Sequence, residues 1–224
     1  MATLKERYFD QQTIEEVAGL LLQSVRSTRD RHLQSVDPNR CALLILDLQR
    51  YFLDEPNHAF IPSAPAILPR IRLLKDAFTA ARAPVIATRH VNTNNNAGMM
   101  GTWWRELLTS DDSRSSLPEW LDDGSLSACI CKSQYDAFYQ TDLENRLREL
   151  GIDQVVISGV MTHLCCETTA RSAFTRGFEV FFGIDFTATY NRSFHQATLL
   201  NLAHGFAVPV LSSEILNKFA RKIE

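Results

Sequence analysis

The chain has 224 residues, of which 45% are apolar and 22% charged, and its formal net charge is −3. These values are typical of one globular domain with a sizeable core. They give no reason to expect a nucleic-acid partner, because no run of Lys or Arg is present. No window is long and apolar enough to span a bilayer, and the first residues do not resemble a secretory signal. We therefore expect a cytoplasmic protein without a membrane partner.

Five cysteines are present, an odd number in a chain that is not small, which argues against a disulfide framework. No C-x-x-C pair occurs, and no histidine lies at zinc-ligand spacing from a cysteine pair, so no structural zinc site is expected. A cysteine without further context is a small buried apolar residue. The five are Cys41, Cys129, Cys131, Cys165 and Cys166.

Residues 1–36 are predicted to form an N-terminal helical arm, followed by the main domain over residues 37–224. Thr13 and Glu16 have the spacing of a capping box, and apolar residues recur at helical spacing over 13–31. The sequence leaves open whether this arm covers its own domain or reaches a neighbouring subunit.

Beyond the arm, short apolar runs alternate with helical patterns. This alternation predicts right-handed βαβ units and an α/β fold, a three-layer α/β/α sandwich with a mostly parallel sheet of about six strands. Residues 91–126 interrupt the pattern as a long irregular insertion, and such insertions are usually functional. The predicted strands span 41–47, 85–88, 128–132, 155–160, 178–184 and 208–211.

Three reactive side chains follow three of these strands. Asp47 follows the first strand, Lys132 ends the third, and Cys165 opens the helix after the fourth. Ligand sites in such sheets lie beyond the carboxyl ends of the strands, so we expect the three to converge. A thiol in the first turn of a helix is favoured as thiolate, Lys132 would stabilise it, and Asp47 could accept its proton.

The other cysteines are given lesser roles. Cys166 should point about 100° away from its neighbour and so face a different environment. Cys129 and Cys131 share one face of the third strand, opposite Lys132, and are predicted to be packing residues.

Three sequence blocks, in order at these strand ends, resemble the isochorismatase-like cysteine hydrolase superfamily. The resemblance runs from about residue 40 to residue 216. Its blocks are D-x-Q-x-x-F from Asp47 to Phe52, K-x-x-x-x-x-F from Lys132 to Phe138, and G-x-x-T-x-x-C-x-x-x-T-A from Gly159 to Ala170.

The resemblance implies a catalytic triad of Asp47, Lys132 and Cys165, without a cofactor. It also implies a non-proline cis peptide between Val160 and Met161, an oxyanion hole made by the backbone N–H groups of Met161 and Cys165, and a homo-oligomer, dimer or tetramer, acting on a small molecule. Further candidates for the substrate pocket are Gln49, Phe52, Trp103, Trp104, Tyr135, Phe138, Thr162 and His163.

The presence of Cys165 favours hydrolysis of an amide or ureide C–N bond through a covalent thioacyl intermediate. In isochorismatases proper this position holds a non-nucleophile. One alternative is therefore vinyl ether hydrolysis of the isochorismate type, run from Asp47 without the thiol. A second is a non-catalytic binding or redox-sensing protein that uses Cys165 and Cys166. His90 has no nearby Asp, which argues against a metal ligand set and against a nicotinamidase.

Overall fold

The computed structural model describes residues 4–32, 34–104 and 106–223. Its centre is a six-stranded, all-parallel sheet with the order β3-β2-β1-β4-β5-β6. The predicted fold class is confirmed. The strands are β1 (Cys41–Leu46), β2 (Val85–His90), β3 (Ala128–Lys132), β4 (Gln154–Val160), β5 (Glu179–Ala188) and β6 (Val208–Val210).

Helices cover both faces of the sheet. The helices α3 and α8 pack on one face, and α1, α5, α6 and α7 pack on the other. Two short helices, α2 and α4, lie in the loops beyond the strand ends. The helices are α1 (Ile14–Arg29), α2 (Arg50–Leu53), α3 (Ala64–Ala80), α4 (Met100–Trp103), α5 (Leu143–Glu149), α6 (Glu167–Thr175), α7 (Arg192–Gly205) and α8 (Ser212–Ile223).

The central strand β1 is buried on both faces. Leu43 and Ile45 point into the core below α3, whereas Leu44 and Leu46 point into the core below α1 and α7. All four are inaccessible to solvent. A strand covered by helices on both sides has no polar face, which explains the uninterrupted apolar run in the sequence.

The N-terminal helix covers its own domain. Ala18, Leu21, Leu22 and Val25 of α1 are buried in the core that α7 and the sheet share. The predicted capping box is not formed, because the hydroxyl of Thr13 accepts a hydrogen bond from the Asp10 N–H instead. The division at residues 36 and 37 stays a prediction, but α1 is part of the three-layer packing.

The exposed edge of the sheet differs from expectation. Cys129 and Cys131 are exposed, so the prediction that they are packing residues is wrong. They lie on the edge strand β3, whose one face is left uncovered at this point. The irregular insertion 91–126 packs against the domain, with Leu108, Leu117 and Leu121 buried in the core.

Among the described residues, no helix has the length and apolar character that crossing a membrane requires.

Candidate active site

The three reactive side chains meet at the carboxyl edge of the sheet. Asp47 directly follows β1, Lys132 is the last residue of β3, and Cys165 lies in the π-helical turn Thr162–Cys166 that follows β4. We call this segment the nucleophile turn. In the sheet, β1 lies between β2 on one side and β4 on the other. The site is therefore at the point where the strand order changes direction, as is usual in open parallel sheets.

The side chains of Asp47, Lys132 and Cys165 form one connected group. The Nζ atom of Lys132 lies 2.8 Å from Oδ2 of Asp47 and 3.4 Å from Sγ of Cys165. It also donates a hydrogen bond to the carbonyl of Gln134 at 2.8 Å. Both charged side chains are withdrawn from solvent, and Cys165 is only 7% exposed. The three side chains therefore lie together, as the sequence predicts.

The surroundings set the protonation state of each group. Burial raises the pKa of Asp47, but Lys132, His90 and a hydrogen bond from Cys165 together outweigh it and hold this pKa below its ordinary value. Burial lowers the pKa of Lys132, but the Asp47 carboxylate and Cys165 reverse this and raise it overall. Burial and the Asp47 carboxylate raise the pKa of Cys165 to about 12, against a smaller lowering by Lys132. The resting group is therefore carboxylate, ammonium and neutral thiol.

This state corrects one expectation from the sequence, namely that the helix start would favour a resting thiolate. Cys165 is desolvated, and it shares a hydrogen bond with the carboxylate of Asp47. A neutral thiol can donate its proton to that carboxylate, whereas a thiolate would face a like charge. The geometry is suited to proton transfer during attack.

The backbone of Asp47 is held in an unusual conformation. Its φ of 52° lies in the left-handed region, which non-glycine residues rarely adopt. The hydroxyl of Thr88 donates to Oδ1 of Asp47 at 2.6 Å, and the N–H of Asp47 donates to Thr88 Oγ1 at 3.2 Å. These two hydrogen bonds fix the carboxylate against Lys132.

The approach to the nucleophile turn requires a glycine. Gly159 has a φ of 106°, and a Cβ at this position would lie 2.1 Å from the carbonyl oxygen of Leu46. The peptide between Val160 and Met161 is cis, as the family resemblance implies. The N–H groups of Leu164 and Cys166 both donate to the carbonyl of Met161, at 3.1 and 3.2 Å. These contacts shape the turn that carries Cys165.

A pocket opens onto Cys165. Its cavity volume is about 50 Å³, which limits it to a small ligand. Most of its lining is aromatic or apolar. The residues are Tyr51, Phe52, His58, Ala59, His90, Asn92, Met100, Trp104, Glu106, Leu107, Leu108, Tyr135, Met161, Leu164, Cys165 and Tyr190.

Comparison with known proteins places this site in a family. The isochorismatase domain family matches residues 41–214, which is most of the chain and includes all three reactive residues. The chain belongs to the isochorismatase family. This protein is an isochorismatase-like hydrolase.

Individual relatives differ in their named activities. The chain is 38% identical over 187 residues to nicotinamidase 3 of Arabidopsis thaliana, covering 81% of this chain and 90% of the relative. It is 30% identical over 187 residues to isochorismatase of Bacillus subtilis, covering 81% of this chain but only 59% of the relative. A cysteine hydrolase from Pseudomonas syringae shares the fold, with a TM-score of 0.79 and 24% identity over 84% of this chain and 96% of that one.

Three of the family-derived pocket candidates line the pocket. These are Phe52, Trp104 and Tyr135, and the indole N–H of Trp104 donates to the Tyr135 hydroxyl at 3.0 Å. The backbone N–H groups of Met161 and Cys165 belong to lining residues, so they stay the predicted oxyanion-hole donors.

Two aromatic candidates lie elsewhere. Trp103 is 75% exposed, because at the end of α4 it points away from its neighbour Trp104. Phe138 is buried in the core below α1 and α7, where the centroids of its ring and the stacked ring of Phe178 are 5.8 Å apart. Their assignment to the pocket is corrected accordingly.

Two candidates in the nucleophile turn also face away from the pocket. His163 packs on Phe194 with ring centroids 4.4 Å apart, and its Nδ1 contacts the hydroxyl of Thr189 at 2.5 Å. Thr162 is fully buried and does not line the pocket. Neighbouring residues of a helical turn point in different directions, so only part of this block can face one cavity.

Gln49 acts behind the pocket rather than in it. Its side-chain Oε1 accepts from the N–H of His90 at 2.7 Å, and its Nε2 donates to the carbonyl of His90 at 3.0 Å. It also donates to the carbonyl of Ser115 at 2.9 Å. Gln49 therefore ties β2 and the insertion to the end of β1.

Sequence reasoning missed several lining residues. Tyr190 follows the end of β5, so the same strand-end rule would have identified it. Tyr51 lies inside the first family block. Nothing in the sequence pattern identifies His58 and Glu106, whose side chains meet across 48 residues of chain at 2.9 Å.

Cys166 belongs to a different environment from its neighbour. Its sulfur lies 3.9 Å from the carbonyl oxygen of Ser158, in the core below α1 and α7. Burial raises its pKa well above the ordinary value. The predicted divergence of Cys165 and Cys166 agrees with these contacts.

In the described part of the chain, no three side chains of His, Cys, Asp or Glu lie close enough together to hold a metal ion. The expectation that no cofactor is needed stays a prediction.

Proposed function

We propose that this protein hydrolyses the C–N bond of a small planar carboxamide through a thioester on Cys165. The observation that carries the proposal is the position of Cys165, whose sulfur lies in the pocket and 3.4 Å from Lys132, which is itself ion-paired with Asp47. A thiol held between a buried carboxylate and a buried cation is the arrangement that nucleophilic catalysis needs.

The reaction proceeds in two halves. The Cys165 sulfur attacks the amide carbon while its proton passes to the Asp47 carboxylate, and the N–H groups of Met161 and Cys165 are the proposed donors to the oxyanion. Asp47 then gives the proton to the leaving nitrogen as the C–N bond breaks. A water molecule attacks the thioester, Asp47 takes its proton, and the proton returns to the Cys165 sulfur as the acid is released.

The pocket favours an uncharged flat substrate over isochorismate. Isochorismate carries two carboxylates, and the pocket lining contains no Arg or Lys among the described residues. Arg114, behind the lining, is already paired with the carboxylate of Glu106. Burial of two carboxylates without a free cationic partner is unfavourable. A flat ring would instead contact the aromatic walls formed by Phe52, Trp104 and Tyr135.

A pyridine carboxamide is the first substrate to test. The relative at 38% identity is named a nicotinamidase, and this weakens the sequence argument against that substrate. The absence of an Asp near His90 bears on a metal site. It does not bear on whether the aromatic walls accept a pyridine ring.

Vinyl ether hydrolysis from Asp47 is retained as a second candidate, because the Bacillus subtilis relative is named isochorismatase. The redox-sensing alternative is disfavoured by the separation of the two thiols, since the sulfur of Cys166 lies in the core while Cys165 faces the pocket.

The test is a substrate screen on three proteins: wild type, Cys165→Ala and the matched control Cys166→Ala. Nicotinamide, benzamide, small ureides and isochorismate are assayed. We expect amide turnover in wild type, a loss of about 10³-fold or more in kcat/KM in Cys165→Ala, and a change within about threefold in Cys166→Ala. Undiminished amide turnover in Cys165→Ala contradicts the proposal. Isochorismate turnover that survives in Cys165→Ala favours the second candidate.

A further inference from the structure

His90 lies at the end of a strand that carries none of the three reactive residues. Asp47 follows β1 and Lys132 ends β3, and β2 lies between these strands. His90 is the last residue of β2, is paired in register with Lys132, and lines the pocket with Cys165. Its side chain thus lies beside both charged members of the triad.

Hydrogen bonds fix which ring nitrogen of His90 carries the proton. The side-chain N–H of Asn92 donates to the carbonyl of Ser133 at 2.9 Å, so the Asn92 Oδ1 is the atom that faces His90. This oxygen lies 2.8 Å from Nε2 of His90 and accepts its proton. Burial and the Lys132 charge lower the pKa of His90 to about 4, so the ring is neutral near pH 7. The backbone of Gln134 also lies near the ring, but Nδ1 makes no hydrogen bond among the described residues. With the proton on Nε2, Nδ1 is an acceptor.

This acceptor is buried and has no hydrogen-bond partner among the described residues. The backbone of His90 is held at both its N–H and its C=O by Gln49, which limits how far the ring can move to find one. A buried acceptor without a donor is unfavourable, and such groups are often completed by a ligand. A donor N–H or O–H from a bound molecule would complete this one.

The oxygens of Asp47 are already engaged. Oδ1 accepts from the Thr88 hydroxyl and Oδ2 is paired with Lys132. During attack the carboxylate must in addition take the Cys165 proton. An amide nitrogen with two N–H groups needs another acceptor nearby. Two acceptor atoms here have no hydrogen bond among the described residues, Nδ1 of His90 and Oδ2 of Asp47, and Oδ2 is already ion-paired with Lys132.

We infer that Nδ1 of His90 binds the leaving group, accepting a hydrogen bond first from the substrate's amide N–H and then from the water that replaces the amine. This inference rests on the proposed amide hydrolysis and names its substrate class, carboxamides that keep an N–H. His90 selects such amides over esters of the same acid, which offer no donor at that position.

Two substitutions at His90 separate its two nitrogens. The side-chain amide of His90→Gln reaches the place of Nε2 and keeps the contact with Asn92, but leaves nothing at Nδ1. The amide oxygen of His90→Asn lies near the place of Nδ1 and keeps an acceptor there. Each variant and wild type are assayed on nicotinamide and on methyl nicotinate, and thermal unfolding reports whether each is folded.

We expect His90→Gln to lose about tenfold in kcat/KM on nicotinamide and less than about twofold on methyl nicotinate, as for one lost hydrogen bond. His90→Asn should retain the wild-type preference for the amide to within about threefold. An equal loss on both substrates in His90→Gln, or no loss on either, overturns the inference while amide hydrolysis itself stands. A wild type inactive on both substrates overturns the proposed function and this inference with it.

Discussion

At the scale of single residues, the account depends on one ion pair in a site from which water is excluded. Asp47 and Lys132 are each stabilised by the other, because a lone charge in this position would be costly. The pair keeps the carboxylate ionised as a proton acceptor. Burial and the Asp47 carboxylate keep the neighbouring thiol protonated in the resting site, against a smaller opposing effect of Lys132.

Removal of the cation tests this dependence. Lys132→Met leaves the Asp47 carboxylate buried without its partner, and we expect a loss of about 3–5 kcal/mol in the free energy of unfolding at pH 7. The double variant Asp47→Asn, Lys132→Met removes both charges and should recover a substantial part of this loss. Urea unfolding measures both. Equal stability of Lys132→Met and wild type would contradict the account.

The same pair predicts an effect of pH on stability. In wild type the folded-state pKa of Asp47 lies below its ordinary value of 3.8, so its contribution is present above that value and is lost as the pH falls through the folded-state pKa. In Lys132→Met, burial raises the folded-state pKa of Asp47 instead. The carboxylate then destabilises the folded protein at neutral pH, and this cost is lost as the pH falls. The stability difference between the two proteins should therefore shrink as the pH falls from 7 toward 4. A difference that stays constant or grows would contradict this.

The neutral resting thiol gives a spectroscopic prediction. The pKa of Cys165 is raised to about 12, so wild type minus Cys165→Ala should show no thiolate ultraviolet absorbance at pH 7. The exposed Cys129 and Cys131 contribute equally to both proteins and cancel. A thiolate difference band at neutral pH would mean that the free enzyme holds an ion pair with Lys132 instead.

At the scale of elements, the end of β4 that leads into the nucleophile turn approaches β1 too closely for any side chain. Gly159 combines a positive φ with a close contact to the backbone of Leu46. Gly177 also has a positive φ, of 81°, but a Cβ there meets nothing within 4 Å. The two glycines thus separate backbone strain from steric overlap.

Gly159→Ala should destabilise the protein by about 3 kcal/mol or more, because strain and overlap add, and it should impair turnover by displacing Cys165. Gly177→Ala carries the strain alone and should cost about 1 kcal/mol with activity retained. Chemical denaturation and initial rates measure both effects. Similar costs for the two variants would show that the contact with β1 is relieved by movement of the end of β4.

The sequence predicted the reactive residues that lie at strand ends. It was less informative about site residues that come from segments distant in the chain. Strand ends placed Asp47, Lys132 and Cys165 on one edge, and those contacts are present. It could not place Glu106, because the insertion has no periodicity, or tell the direction of Trp103 from that of Trp104. It considered His90 only as a metal ligand, since the acceptor role depends on a tautomer that Asn92 sets through space.

At the scale of the whole molecule, the N-terminal helix is a structural part of the sandwich. Leu21 of α1 packs into the core that α1 shares with α7 and is 1% exposed, while its neighbour Leu20 is 45% exposed. A helix that merely reached a neighbouring subunit would leave its apolar face free within one chain. Here that face is covered.

Leu21→Ala should therefore cost about 2–5 kcal/mol in the free energy of unfolding, as a cavity in a core does. Leu20→Ala removes the same atoms from an exposed position and should stay within about 0.5 kcal/mol. Urea unfolding compares the two. A negligible cost for Leu21→Ala would mean that α1 is dispensable to the packing of the domain.

The central claim is that Cys165 carries the acyl group during turnover. Mass spectrometry of wild type quenched in acid during nicotinamide turnover, followed by peptide mapping, measures this directly. We predict a nicotinoyl adduct on the peptide that contains Cys165 and Cys166, retained in Cys166→Ala and absent in Cys165→Ala. Nicotinate production by wild type with the acyl group on another residue, or undiminished in Cys165→Ala, would contradict it.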